Sequence, residues 1–274
     1  MQALQRTDAG VQKNPAMTGG LQEQNNSTAI VGGLPVNYIA LALQTEISFR
    51  PVWNVSSNYL TGFIARHTHE DGKDNTALAD AMARADLGLL ARSVAELTAA
   101  LQQGRRMVLI VPAFFETLTR QPGRDHYFDF MRNVPAPVRS LIVLQIRETP
   151  VLANKESIQT VQQRYAGLVR SLIVTSDLYG QNVDTGWRRD VRTCAITLEN
   201  DPEEEHSNIG LMESFSGKMQ AFGRTAMVDG IFSKSMLIAA KGLGFTYISG
   251  PAVQGDEKGL AAIRPFSLQN AYHC

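Results

Sequence analysis

Six short runs of Val, Ile and Leu set the frame for this chain: MVLIVPAF (107–114), SLIVLQIRE (140–148), SLIVTSDL (171–178), CAITLE (194–199), RTAMVDG (224–230) and FTYISG (245–250). Each is nearly continuous in apolar residues rather than alternating, which is how a strand reads when both its faces are buried. Helical stretches lie between most of them, near 115–132, 154–170, 202–222 and 233–242. Strand and helix in alternation, with burial on two sides, calls for a parallel sheet covered by helices. Ahead of these runs, YIALALQTEISFRPVW (38–53) and YLTGFIAR (59–66) read as two extended segments joined by the turn-rich NVSSN, a hairpin. ALADAMARADLGLLARSVAELTAAL (77–101) repeats Leu and Ala at helical spacing. Six runs and a hairpin make eight strands. An eight-stranded α/β barrel of TIM type closes them most economically, with a doubly wound open sheet as the alternative.

The length and composition agree with one large core: 274 residues, 44% of them hydrophobic. Twenty-six basic residues balance 26 acidic ones, so no net field draws the protein toward nucleic acid or anionic lipid. Its basic side chains are scattered, which also argues against a nucleic-acid platform. Cys194 and Cys274 form no spaced framework, consistent with a reducing cytoplasm. The opening MQALQRTDAGVQKNPAMTGG lacks the apolar centre of a signal peptide. AIVGGLPVNYIALAL is too short and too interrupted to span a bilayer. Residues 1–34 are rich in Gln, Asn, Gly, Ser and Thr without periodicity, and a disordered tail is expected there, ahead of a barrel domain over 35–274.

Several clusters invite a chemical reading. Asp177 ends an apolar run and precedes Leu178, Tyr179 and Gly180; its carboxylate suits either a metal ion at a strand end or a turn. Glu203, Glu204 and Glu205 follow Asp201 and Pro202, and stabilisation of a helix start accounts for all of them. In RHTHED (66–71), His67 and His69 point the same way on an extended segment, but no third ligand can be assigned, so a solvated loop is expected. Neither a Gly-x-Ser-x-Gly elbow nor a phosphate-cradling P-loop is present.

In a barrel, chemistry sits at the carboxyl ends of the strands. Here those ends read IAR, VPAF, QIRET, SDLYG, TLEN, VDGI and ISGP. In that order the chain resembles the EAL family of bacterial cyclic di-GMP phosphodiesterases, over roughly residues 38–256. RPVWNVSSNYLTGFIAR is similar to the strand, turn and strand leading into the Glu-Ala-Leu signature, and TSDLYG to the family's Asp-Asp-Phe-Gly. VDGIF resembles its Ala-Glu-Gly-Val-Glu, and LGFTYISGPAVQ its closing segment. The resemblance implies a TIM-like (β/α)8 barrel of EAL type whose first strand is antiparallel. It also implies two divalent metal ions held by carboxylates and one Asn, with a Lys beside the attacking water.

The departures from that pattern fall on the site. Ile64 stands at the signature Glu, Pro112 at the Asn, Gln145 at the first Glu of the third strand, Leu178 at the second Asp, and Thr197 at the Lys. Glu148 survives at the strand's second acid, Glu199 stands where Asp is usual, Asp177 remains, and Asp229 is one methylene shorter than Glu. Ser249 and Pro251 replace a Gln and an aromatic near the closing strand. Ile and Leu have no lone pair to give, and Pro has neither a side-chain oxygen nor an N–H. A hard dication pair wants oxygen ligands in near-octahedral array, and losing one such electrostatic element typically costs about 10²-fold or more in rate. A pseudoenzyme without a metal cofactor is expected, acting as a regulator or scaffold through protein contacts. The loop GQNVDTGWRRDVR places Trp187 beside Arg188 and Arg189, residue types enriched at interfaces, and is the candidate contact, including contact with a second copy. An ordinary exposed loop explains it equally well. Two alternatives stay open: a sensor that binds cyclic di-GMP without cleaving it, and an active phosphodiesterase with rebuilt ligands.

Overall fold

The computed structural model describes residues 30–31, 34–35, 38–68, 78–148, 155–176, 191–198 and 201–271. The described residues begin with a two-residue ladder, β1 (Ile30–Val31) paired antiparallel to β2 (Leu34–Pro35), followed by helix α1 (Ile39–Gln44). Then come the hairpin β3 (Ile47–Asn54) and β4 (Tyr59–His67), and the long helix α2 (Leu78–Gln102). Strand β5 (Val108–Phe114) leads through α3 (Phe115–Thr119), α4 (Gly123–Asn133) and α5 (Ala136–Arg139) into β6 (Ile142–Arg147). Helix α6 (Lys155–Tyr165) precedes β7 (Ser171–Thr175) and β8 (Thr193–Thr197). A 3-10 turn (Pro202–Glu204) opens α7 (Glu205–Ala221), and β9 (Thr225–Asp229), α8 (Lys234–Gly242) and β10 (Tyr247–Ser249) complete the alternation. Two short pieces close it, β11 (Arg264–Pro265) and α9 (Leu268–Ala271).

The sheet runs β4-β3-β10-β9-β8-β7-β6-β5, and β5 pairs back onto β4, closing an eight-stranded barrel. β3 is antiparallel to both its neighbours, β4 and β10, while the pairs from β4–β5 round to β9–β10 are parallel. The barrel was therefore the right choice over an open sheet, and the antiparallel first strand is present.

Strand alternation sorts the apolar residues into two cores. Val52, Ile64, Ile110, Val143, Ile173, Ala195 and Met227 form one cluster, contributed by seven different strands, which fills the barrel's interior. Residues of the opposite phase, such as Leu109, Val111, Leu144, Ile146, Val174 and Ile196, join Leu90, Val94, Phe130, Ile158, Phe215 and Met236 of the surrounding helices. Each such aliphatic side chain contributes roughly 1.5–3 kcal/mol by leaving water. This two-sided burial is what made the strands read as unbroken apolar runs. Gly62 lets β4 approach β5, since a Cβ there would meet the Val108 carbonyl oxygen at 2.8 Å.

Two expectations need correction. Residues 38–46 are not part of the first strand: IALALQ is α1, and β3 begins at Ile47. The alternating Ala and Leu imitate a strand's period, but both are strong helix formers, and α1 packs on α2, where Gly88 leaves room for Thr45. The single helix expected near 115–132 is two, α3 and α4. Arg120 is extended (φ −102°, ψ 142°) at the break, and Pro122 follows two residues later, so the turn cannot be helical throughout. The β1–β2 ladder straddles the boundary expected between tail and barrel at residues 34 and 35, and residues 1–29 lie outside the described residues. The expected cap is present: the Asp201 side chain accepts the Glu203 N–H at 2.9 Å.

Candidate functional site

The mouth of the barrel is built from the carboxyl ends of the parallel strands and the start of β3, which runs the other way. Asp229, the last residue of β9, is 7% exposed, and Ser249, the last of β10, is fully buried. The Asp229 Oδ1 atom accepts three hydrogen bonds: from Ser249 Oγ at 2.8 Å, from the Gly230 N–H at 2.9 Å and from Arg50 Nη1 at 3.2 Å. Gly230 takes φ +96°, a left-handed backbone that suits glycine and returns its N–H to the preceding side chain.

Arg50 is the centre of this arrangement. It points inward from β3, two residues before Val52 of the inner core, and its side chain is 12% exposed. On its other side it forks onto Asp256, with Nε to Oδ1 at 2.7 Å and Nη2 to Oδ2 at 3.4 Å, and Ser48 Oγ reaches the same Oδ2 at 3.4 Å. Burial alone would lower the guanidinium's pKa, but the charge of Asp229 and the bond to Asp256 reverse this and raise it. Arg50 is thus a fixed cation held by two carboxylates.

The other expected positions fall around it. Ile64 is 3% exposed and belongs to the inner apolar cluster, in register with Arg50 on one side and Ile110 on the other. Pro112 is buried in β5 and pairs in register with Gln145. Gln145 is 4% exposed and its Nε2 donates to Thr175 Oγ1 at 2.9 Å. Thr197 is exposed at the end of β8, in register with Asp229. Glu148 is exposed just past β6 with φ +49°. Asp177, Leu178, Glu199, Trp187, Arg188 and Arg189 lie outside the described residues, as do His69, Glu70, Asp71, His273 and Cys274. A cavity of about 340 Å³ opens at the opposite end of the barrel, beside the first residues of β7 and β8.

Sequence reading missed Arg50, Asp256 and a second buried acid, Asp86. Arg50 leaves one trace, a charge in phase with the inward residues of an otherwise apolar strand. Asp86 lies on α2, is 4% exposed, and accepts the Phe114 N–H at 2.9 Å where β5 passes into α3. Burial pushes its carboxyl up to about 7, against the pull of that N–H and of Arg147. Arg147 itself stacks over the Phe114 ring, 5.0 Å from its centre.

Among the described residues no three His, Cys, Asp or Glu side chains converge as a metal site would require. The described residues do not fit a dication at Asp229. A guanidinium already occupies its Oδ1, and a doubly charged ion about 4 Å from that guanidinium would be repelled by about 8 kcal/mol at an effective dielectric of 20.

The closed barrel with one antiparallel strand at its opening is the EAL-domain fold, and solved structures bear this out. The FimX EAL domain superposes with a TM-score of 0.58 at 18% identity, over 80% of this chain and 94% of that one. The Xanthomonas citri FimX EAL domain in complex with cyclic di-GMP gives 0.57 at 15% identity, over 82% and 93%. The Bacillus subtilis YkuI protein, which has an EAL domain and was solved with its substrate cyclic di-GMP and calcium, gives 0.62 at 11% identity, over 87% of this chain and 62% of that protein. No family model and no curated protein matches the sequence. Among the described residues no helix is long and apolar enough to cross a membrane.

Proposed function

We propose that this EAL-fold chain is a pseudoenzyme, without a metal cofactor, that acts as a signalling regulator or scaffold through contacts with other proteins. One observation carries the reading: the acid at the mouth, Asp229, is bound to Arg50, Ser249 and the Gly230 N–H, so it is paired with a cation from within the protein. Ile64 on β4 and Pro112 on β5 have no side-chain oxygen to offer a metal. Hydrolysis of a phosphodiester by a metal pair needs both an activated water and stabilisation of the leaving oxygen; among the described residues no metal-binding cluster is present to supply them.

The contact role rests on the EAL fold together with that missing chemistry, and Trp187, Arg188 and Arg189 are proposed as the contact loop, toward a partner protein or a second copy. The proposed organisation is a tail over 1–34 and a barrel over 35–274, working in the cytoplasm. The test is direct. The purified protein, incubated with cyclic di-GMP in manganese, is expected to release no linear product. Turnover that Asp229→Asn abolishes would overturn the reading. Titration calorimetry with the same dinucleotide is expected to give no heat at high micromolar ligand; heat without turnover would make the protein a sensor instead.

A further inference from the structure

We propose that the Arg50 guanidinium is the resident cation of the barrel mouth, holding Asp229 and Asp256 in the role a divalent metal would otherwise take and pinning the segment after β10 to the hairpin. This rests on the same reading of the mouth as free of metal. It goes further by naming the side chain that keeps metal out and a second carboxylate, from outside the barrel, that shares the work.

The geometry supports it from both sides. Asp229 belongs to the barrel, whereas Asp256 belongs to the segment that leaves β10 and folds back along β3. There Phe49 and Glu257 exchange two backbone hydrogen bonds, each of 2.8 Å, which fixes Asp256 at the mouth. Arg50 bridges the two, one nitrogen on Asp229 and two on Asp256. Counting charges, one guanidinium against two carboxylates leaves the cluster at −1; without Arg50 it would stand at −2. The remaining groups, Ser48 Oγ and Ser249 Oγ, are hard oxygens of the kind that manganese and calcium accept. Oxygen donors and negative charge are therefore both at hand, and the guanidinium is the element that satisfies them. Arg suits this task because its planar fork serves two carboxylates at once and does not lose its proton.

The test removes the cation and offers another. Full-length Arg50→Ala is expected to melt below the wild type, and manganese is expected to restore it. At a manganese concentration 100-fold above the dissociation constant, its midpoint should rise by about 5–10 °C. The wild type should not respond, and Arg50→Ala combined with Asp229→Asn should lose the rise. Arg50→Gln, which keeps much of the side-chain volume, serves if the alanine variant does not fold. The proposal is overturned if neither Arg50 variant responds to manganese, if the wild type responds equally, or if the double variant keeps the response. Cyclic di-GMP turnover by the wild type would instead sink the pseudoenzyme reading, so the two failures are distinguishable.

Discussion

Two buried acids in this molecule meet the same problem and solve it differently. Asp229, at the mouth, is 7% exposed; Asp86, behind the end of β5, is 4% exposed. Both accept a backbone N–H, from Gly230 and Phe114 respectively, at 2.9 Å. Asp229 also has a guanidinium on the same oxygen, so its charge is matched in place. Asp86 has no such ion pair within the described residues. Burial raises its pKa to about 7, and near neutrality it is shared between the neutral and charged forms. A low-dielectric site accepts a carboxylate only with a counter-charge or a proton. At the mouth the counter-charge comes from the chain itself.

The largest way to break this contrast is to remove the cation. Arg50→Ala leaves Asp229 buried without its partner, and breaking such a pair costs about 3–5 kcal/mol. Chemical denaturation of the variant beside the wild type measures this, and a loss below about 1 kcal/mol would mean that water replaces the guanidinium at no cost. The next effect depends on pH. The folded Asp86 holds its proton more tightly than the unfolded one, so its contribution to stability is fully present below the unfolded value of 3.8 and is lost as pH rises through about 7. Between pH 5 and pH 8 that loss is about 2–3 kcal/mol. Asp86→Asn can still accept the Phe114 N–H but cannot ionise, and this part of the pH dependence should vanish. Denaturation midpoints at the two pH values test it, and an unchanged slope in the variant would place the titration elsewhere. Smallest is Ser249→Ala, which removes one 2.8 Å donor from Asp229 while Arg50 and Gly230 remain. About 1 kcal/mol is expected, again by denaturation, and a cost as large as that of Arg50→Ala would put the hydroxyl ahead of the cation.

Most of the barrel could be read directly. Residues 107–114, 194–199 and 224–230 fall within a residue or two of β5, β8 and β9, because burial on both faces leaves an apolar run that little else produces. IALALQ misled because Ala and Leu in alternation carry a strand's period on a helix former's composition, and only the packing of α1 on α2 decides between them. At the site, Ile64 and Pro112 could be read as positions without a side-chain oxygen, because a residue type fixes whether a lone pair exists.

What the sequence determined by itself was therefore the inventory: which strands are buried on two faces, where the helix after Asp201 starts, and which positions carry no side-chain oxygen. Tertiary structure alone decided the pairing of charges. Arg50 lies 179 residues from Asp229 and 206 from Asp256, and no local pattern links them. They meet because closing the barrel sets β3 against β10, whose other neighbour is β9, and because the returning segment carries Asp256 to the same opening. The physical reason is one of range. Residue type and periodicity act over a few neighbours, whereas a salt bridge depends on which distant segments the closed sheet sets a few ångströms apart.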